Sequence, residues 1–269
     1  MGFLSSPPPY LSLLALNSTA LAPTALTSGV SYASANAGIL YSTKNAGTCI
    51  PLSTQVQYFN ATRAQMVAAV GSRAVQALLS DSIFVIDGGS NDLRSAADQQ
   101  SDAAALFADL ISNYSATITE LYAMGARKLA IMNVGLVGCV PAVRVLNAAG
   151  ACADGLNQLA AGFNEALRSL LADQLAPTMP GLVYSLADSF LLTQDTFADP
   201  PAAGGCSPRR AACPTPPSAP AARPVTSTSS GIATIRPSGP VSSRPRHSTT
   251  GRPSIPRPST SCSWPSPVS

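Results

Sequence analysis

Histidine and charged side chains are scarce in this sequence. His247 is its one histidine, and charged residues make up 11% of the chain. No group of Cys and His residues has the spacing of a zinc site, so we expect neither a metal nor another cofactor. A membrane-spanning helix needs a continuous apolar run of about 18 residues, and the sequence has none, so we predict no membrane span.

Acidic residues are absent from the C-terminal region. Residues 200–269 contain eight Arg and 16 of the 24 Pro, whereas residues 1–199 contain all 13 acidic residues and eight Lys or Arg. The formal net charge of +3 therefore averages an acidic region with a basic one, and it does not indicate a nucleic-acid-binding protein. We predict a folded domain over residues 1–199 and a disordered Pro/Ser/Arg-rich tail over residues 200–269.

The start of the sequence has few features of a secretory signal peptide, and we predict none there. Prolines occupy residues 7–9, where a signal peptide has an apolar helix, and no positive charge precedes them. Three glycosylation sequons point instead to a secretory lineage, and they begin at Asn17, Asn60 and Asn113. The sequence alone leaves the oligomeric state open.

Two cysteines lie on either side of a loop that contains Pro and Gly. The spacing of Cys139 and Cys152 is compatible with a disulfide that closes this loop. Cys49 has no obvious partner within residues 1–199, and we attach no role to the three cysteines of the tail, Cys206, Cys213 and Cys262.

Helical and strand patterns alternate between residues 63 and 197. Short β-branched or aromatic runs are bounded by turn residues, and longer segments carry apolar residues every three or four positions. Strands are predicted at Ile83–Asp87, Lys128–Asn133 and Leu182–Tyr184, and helices at Arg63–Ser80, Asp102–Met124, Asp154–Leu175 and Ala187–Phe197. This alternation with short connections predicts an α/β fold in which helices cover both faces of a parallel sheet.

The strand Ile83–Asp87 ends in a polar stretch, Gly88–Asp92, that is a candidate ligand site. Ligands bind beyond the carboxyl ends of strands in open α/β sheets. The side-chain amide of Asn91 is suited to donate a hydrogen bond to a developing oxyanion, and the carboxylate of Asp92 is suited to anchor the loop. An Asx-turn without a function is the alternative interpretation of these residues.

Four segments together resemble the GDSL-type (SGNH) esterases and lipases of plants. They are residues 6–11, Gly29–Leu40, Gly89–Asp92, and Val137–Pro141 with Cys152 and Asn157 after it. The resemblance implies a flavodoxin-like three-layer α/β/α sandwich that hydrolyses a small-molecule ester or a lipid. In that family a Ser backbone N–H, a glycine N–H and an Asn side chain form the oxyanion hole.

The resemblance assigns the Asn role to Asn91 and leaves the glycine role less defined. Ala35 and Asn36 stand where many members have Gly-Gly, so the backbone donor is Asn36 or a neighbour, and Gly38 is the glycine that survives. The resemblance also implies secretion, and the missing signal peptide leaves an intracellular product as the alternative.

The sequence departs from the family at both ends. It has no Gly-Asp-Ser-Leu block for the nucleophilic Ser and no Asp-x-x-His block for the base. We expect a sheet that is incomplete at the N-terminus, with an exposed apolar edge where the nucleophile strand normally lies. The tail is either a natural disordered segment or the product of a frameshift. With permitted codons, residues 229–238 read Trp-Asp-Arg-His-His-Pro in another frame. This reading contains the missing Asp-x-x-His block, which favours the frameshift.

Three functional hypotheses follow from these features. The first is a carboxylic ester hydrolase that is inactive as written, because its nucleophile and base are missing. The second is a non-catalytic remnant that keeps a ligand groove. The third is an interaction protein that uses its basic tail, in which Pro253 and Pro256 have Pro-x-x-Pro spacing.

Overall fold

A mixed sheet with flanking helices forms the part of the chain that the computed structural model describes, residues 6–16, 18–43, 49–99, 102–198 and 229–235. The strands lie in the order β1-β5-β2-β3-β4. Their bounds are Ser34–Ala35 (β1), Ile83–Asp87 (β2), Lys128–Met132 (β3), Val183–Ala187 (β4) and Ser229–Ile235 (β5). The helices are Tyr10–Leu16 (α1), Leu21–Thr27 (α2), Leu52–Val70 (α3), Ser72–Asp81 (α4), Ser90–Gln99 (α5), Ala103–Met124 (α6), Pro141–Arg144 (α7), Asp154–Ser169 (α8), Ala176–Thr178 (α9) and Ser189–Ala198 (α10).

The parallel arrangement of the three predicted strands is confirmed. β2 pairs parallel with β3, and β3 pairs parallel with β4. Alternate residues of the central strands enter the core, with Phe84 and Ile86 of β2 and Leu129 and Ile131 of β3 buried. This period of two is the strand pattern that the sequence showed. The prediction of an α/β fold with a parallel sheet and flanking helices is therefore correct.

Two glycines account for the ends of the long helices. Gly71, with a φ of 85°, separates α3 from α4, so the prediction of one helix over Arg63–Ser80 is wrong. The helix predicted at Asp102–Met124 is confirmed, because the Asp102 carboxylate accepts hydrogen bonds from the first turn of α6 and Gly125 ends it with a φ of 122°.

Within the described ranges, no helix combines the length and the apolar character needed to cross a membrane.

The last predicted helices differ from the structure mainly at their ends. α8 begins at Asp154 as expected, but Ala153 is its N-cap residue, and the chain continues as a π-helix over Leu170–Leu175. β4 extends to Ala187 instead of ending at Tyr184, so α10 starts only at Ser189. Residues 182–187 contain one β-branched residue, so their propensity alone does not define the end of the strand, whereas the pairing with β3 extends to Ala187.

The prediction that the tail lacks packed structure is wrong for residues 229–235. They form β5, which pairs antiparallel with β2 on one side and with β1 on the other. β5 therefore covers the edge of β2 that faces away from β3. The rest of the tail, including His247 and the Pro-x-x-Pro segment, lies outside the described residues, and the frameshift interpretation stays a prediction.

Candidate functional site

A two-glycine turn connects β2 to α5 and sets the position of Asn91. Gly89 has a φ of 113°, and a Cβ atom there would lie 2.8 Å from Cε1 of Phe163, so both the backbone and the available space require glycine. α5 begins at Ser90. Asn91 and Asp92 therefore lie in the first helical turn rather than in the polar loop that the sequence suggested, and that loop is confined to Gly88 and Gly89.

The Asp92 carboxylate joins α5 to the segment that contains Gly38. It accepts hydrogen bonds from the backbone N–H groups of Ile39 and Leu40, each at 3.0 Å, and from the hydroxyl of Thr43. The residue is 2% exposed. Burial raises the pKa of Asp92, and the donated hydrogen bonds oppose that shift. The predicted anchoring role of this carboxylate is confirmed, and Thr43 is a partner that sequence patterns did not show.

Gly38 fits where a side chain would collide with this anchor. A Cβ atom at Gly38 would lie 2.5 Å from Oδ1 of Asp92 and 2.5 Å from Cβ of Thr43. The Gly38 carbonyl accepts a hydrogen bond of 3.1 Å from the N–H of Leu52, at the start of α3. The absence of a side chain thus lets two segments approach at backbone distance, which explains why this glycine is retained.

The side chain of Asn91 is fully buried and held at both ends. Its Nδ2 donates a hydrogen bond of 2.8 Å to the carbonyl of Ala37, and its Oδ1 accepts one of 3.0 Å from Nη2 of Arg94. The structure therefore brings the two predicted site residues, Asn91 and Gly38, to one junction. Arg94 was missed from the sequence, although its position one helical turn after Asn91 is a signal that could have identified it.

Asn36 adopts a left-handed backbone conformation. Its φ of 59° is the one positive value among the non-glycine residues that the structure describes. Asparagine tolerates this left-handed region better than most residues. The segment Ala35–Gly38 thus runs from β1 directly to the Asp92 anchor.

A second carboxyl group lies at the carboxyl end of β2. Burial raises the pKa of Asp87 to about 6. Burial raises the pKa of Tyr114 in α6, and the charge of Asp87 adds to that shift. In the sequence, Asp87 marks the end of a strand and nothing more, because the partial burial that gives the group its unusual pKa depends on packing that no local pattern reveals.

The predicted disulfide is present and shapes a groove beside α5. Cys139 and Cys152 are bonded, with 4.4 Å between their Cα atoms. The loop that they close forms one wall of an open cavity of about 830 Å³, which also contacts α5, α6 and α8. Its lining includes the apolar residues Leu106, Val143, Leu146, Leu156 and Leu159, together with Arg94 and Asp98.

Gly138 and Asn157 form the inner side of the same loop. The Asn157 amide accepts a hydrogen bond of 2.8 Å from the N–H of Gly138 and donates one of 3.4 Å to Sγ of Cys139.

Cys49 is a free thiol. Within the part of the chain that the structure describes, no group of three or more His, Cys, Asp or Glu residues is arranged to hold a metal ion.

Replacing Gly38 tests the close approach at the anchor. We expect Gly38→Ala to lower the free energy of unfolding by about 1–3 kcal/mol, because the added methyl displaces Asp92 or Thr43. Urea unfolding measures this change. The control is Gly155→Ala in α8, where a Cβ atom meets no atom within 4 Å and helix propensity predicts a gain of up to about 1 kcal/mol. Equal effects of the two substitutions would contradict the steric account.

The raised pKa of Asp87 predicts a pH-dependent gain from Asp87→Asn. In the folded protein the Asp87 carboxyl keeps its proton up to a pKa of about 6, whereas its unfolded value is 3.8. The contribution of this group to stability is therefore complete below pH 3.8 and is lost as the pH rises through 6. Asp87→Asn should raise the free energy of unfolding by roughly 2–3 kcal/mol at pH 7.5 and have little effect at pH 4. Denaturation at both values, with the exposed Asp98→Asn as control, measures the difference; a gain that does not depend on pH would refute it.

Known proteins resemble this chain in sequence. The family described as GDSL-like Lipase/Acylhydrolase matches residues 9–178. GDSL esterase/lipase At5g37690 of Arabidopsis thaliana is 32% identical over 208 residues, which cover 74% of this chain and 56% of the relative. GDSL esterase/lipase At4g16230 of the same plant is 32% identical over 200 residues, covering 70% and 52%. GDSL esterase/lipase At1g71250, also from that plant, is 31% identical over 224 residues, covering 78% and 57%.

The extent of these matches decides the family. The chain spans roughly half the length of the relatives that it matches. The family match covers more than half of the 269 residues, and it includes the Gly38 segment, the Asn91–Asp92 turn and the disulfide loop. The chain therefore belongs to the GDSL lipase/acylhydrolase family.

Proposed function

We propose that this chain forms the oxyanion-binding part of a hydrolase that acts on carboxylic esters, with a small-molecule ester or a lipid as its substrate. The observation that carries the proposal is the junction of Asn91 with the segment Ala35–Gly38, held by the buried Asp92 carboxylate. The printed names of the relatives, GDSL esterase/lipase, support the type of reaction.

Ester hydrolysis passes through a tetrahedral intermediate whose oxygen carries a negative charge. Donors held near 3 Å from that oxygen stabilise it without having to reorganise during the reaction. The bond from the Asn91 amide nitrogen to the Ala37 carbonyl and the bond from Arg94 to the amide oxygen fix the plane of this side-chain amide. We propose the Asn91 side chain and a backbone N–H within Asn36–Gly38 as the oxyanion donors.

Turnover by the family's route needs two further groups. A serine must attack the carbonyl carbon, and a histidine must take its proton; the family carries them in Gly-Asp-Ser-Leu and Asp-x-x-His blocks. The 269 residues contain neither block. We therefore propose that these residues alone bind an ester without hydrolysing it, and that catalysis requires the two blocks in addition.

The groove beside α5 supports an apolar acyl group as part of the substrate. Arg94 lines this groove and also contacts the Asn91 side chain, so the groove starts next to the proposed oxyanion donors. Its remaining walls are rich in leucine and alanine, which favour an alkyl chain over a charged group. The disulfide Cys139–Cys152 stabilises one wall, and it supports a secreted location because such bonds persist in oxidising compartments.

Restoring the missing blocks tests the role of Asn91. A chimeric chain that gains the Gly-Asp-Ser-Leu and Asp-x-x-His blocks of GDSL esterase/lipase At5g37690 should hydrolyse a short-chain nitrophenyl ester, whereas the unmodified chain should not. In the chimera, Asn91→Ala should lower kcat by about 10²–10³, the effect of losing one oxyanion donor. Steady-state kinetics with both chains measure the two effects.

Asn113→Ala is the matched control, because Asn113 is an exposed asparagine on α6 whose amide bonds only to its own helix. It should leave kcat unchanged. An Asn91→Ala chimera as active as this control would remove Asn91 from the mechanism. Rapid hydrolysis by the unmodified chain that a serine-directed phosphonate abolishes would reveal a nucleophile within residues 1–199 and overturn the requirement for the two blocks.

A further inference from the structure

β5 lies inside the sheet although it comes from the basic tail. Residues 199–228 separate it in sequence from α10. It runs antiparallel to β2, from the pair Ile83 and Ile235 to the pair Asp87 and Gly231, whereas β2, β3 and β4 are mutually parallel. This strand thus has the opposite direction to its neighbour and a long connection to the rest of the fold.

The groups around β5 recognise its backbone. Gln55 of α3 is fully buried; its Nε2 donates a hydrogen bond of 3.2 Å to the Ser230 carbonyl, and its Oε1 accepts one of 3.0 Å from the N–H of Ile232. The N–H of Tyr32 donates to the Ile232 carbonyl at 2.8 Å. A buried amide that satisfies both a C=O and an N–H of one strand selects an extended chain rather than a particular side chain.

The side chains of β5 contribute little apolar anchorage. Ile232 is its one side chain in the hydrophobic core, and the other buried side chains, Ser230 and Thr234, are polar. At Gly231 a Cβ atom would lie 2.3 Å from Cα of Ala33, so the space admits a strand with glycine at this point. By contrast, β2 places both Phe84 and Ile86 in the core.

The start of β5 touches both halves of the candidate site. Ser230 pairs with Ser34 of β1, which leads to the Asn36–Gly38 segment, and Gly231 pairs with Asp87, which leads to Asn91. β5 therefore connects, through sheet pairing, the two segments that the Asp92 carboxylate connects through side-chain hydrogen bonds. Occupancy of this position is coupled to the geometry of the site.

We propose that the space between residues 30–35 and β2 is a strand-binding slot, and that its occupant is the chain's own segment Ser229–Ile235, held as a releasable ligand. The slot recognises an extended, uncharged segment through its backbone and a glycine position. When the segment is inserted, β1 and β2 are held together and the Asn91 junction is closed. When it leaves, the slot accepts another extended peptide of the same kind.

A designed disulfide identifies the occupant. Ser31 and Ala233 form a bridge flanked by the bonds of Tyr32 to Ile232 and Thr234 to Val30, so they are a non-hydrogen-bonded pair. Such pairs have Cα atoms about 4.5 Å apart, within the range of disulfides. We expect Ser31→Cys with Ala233→Cys to form an intramolecular bond in the full-length chain, after Cys49, Cys206, Cys213 and Cys262 are replaced by serine.

Non-reducing electrophoresis and peptide mapping distinguish the outcomes. A monomer linked between positions 31 and 233 supports the proposal. A disulfide-linked dimer would show that the segment comes from a second copy, and no link would show that the slot is empty or differently filled; both would overturn it. The control pair is Leu192→Cys with Ala233→Cys, since Leu192 is exposed on α10, which follows the strand at the opposite end of the sheet.

The same chain tests whether the segment is releasable. A fluorescent peptide with the sequence of residues 229–235 should bind the reduced double-cysteine chain at least ten-fold more tightly than the oxidised chain, in which the slot is locked. A peptide with Gly231→Val should not bind either form. Equal binding to both forms, no binding to the reduced form, or tight binding of the valine peptide would contradict a releasable strand.

Discussion

The buried carboxylate of Asp92 is the interaction on which the candidate site depends. A charge removed from water is costly unless hydrogen bonds replace its hydration, and here two backbone N–H groups and the Thr43 hydroxyl do so. Because the donors belong to residues 39–43 and the acceptor belongs to α5, the bonds can form only when the two segments meet. A side chain at position 38 would occupy the space where the two segments meet, so glycine fits there. Their close approach also brings the Asn91 amide to the Ala37 carbonyl.

The sheet also holds the two segments of this junction together. β1 and β2 lead into the two segments, yet they do not pair with each other; β5 lies between them and pairs with both. An unpaired strand beside Phe84 and Ile86 would leave backbone donors and acceptors next to an apolar core, which explains why a tail segment with few apolar side chains is accommodated there. Asp87 is partly buried at the end of β2 that leads to Asn91. Burial disfavours its charged form, so ionisation of Asp87 destabilises this end of the sheet.

The parts of the fold that follow from local patterns were predictable, and those that depend on distant contacts were not. Alternating apolar residues identified Ile83–Asp87, and Asp102 and Gly125 marked the ends of α6. The family motifs led to Asn91 and Gly38, and the spacing of Cys139 and Cys152 was compatible with the disulfide that the structure shows. Arg94 and Thr43 contribute through contacts that depend on packing. β5 was missed because proline and arginine dominate the tail composition, and Gln55, which holds this strand, lies far from it in the sequence.

Hydrogen exchange at Ile39 and Leu40 tests the central role of the Asp92 carboxylate most directly. Among the residues that the structure describes, these N–H groups donate to the Asp92 carboxylate and not to a backbone carbonyl, so their protection reports the junction itself. We expect slow exchange in the unmodified protein, and exchange faster by at least ten-fold in Asp92→Ala while the amides of β3 stay protected. Exchange of Ile39 and Leu40 at the same rate in both proteins would show that the carboxylate does not hold the site together.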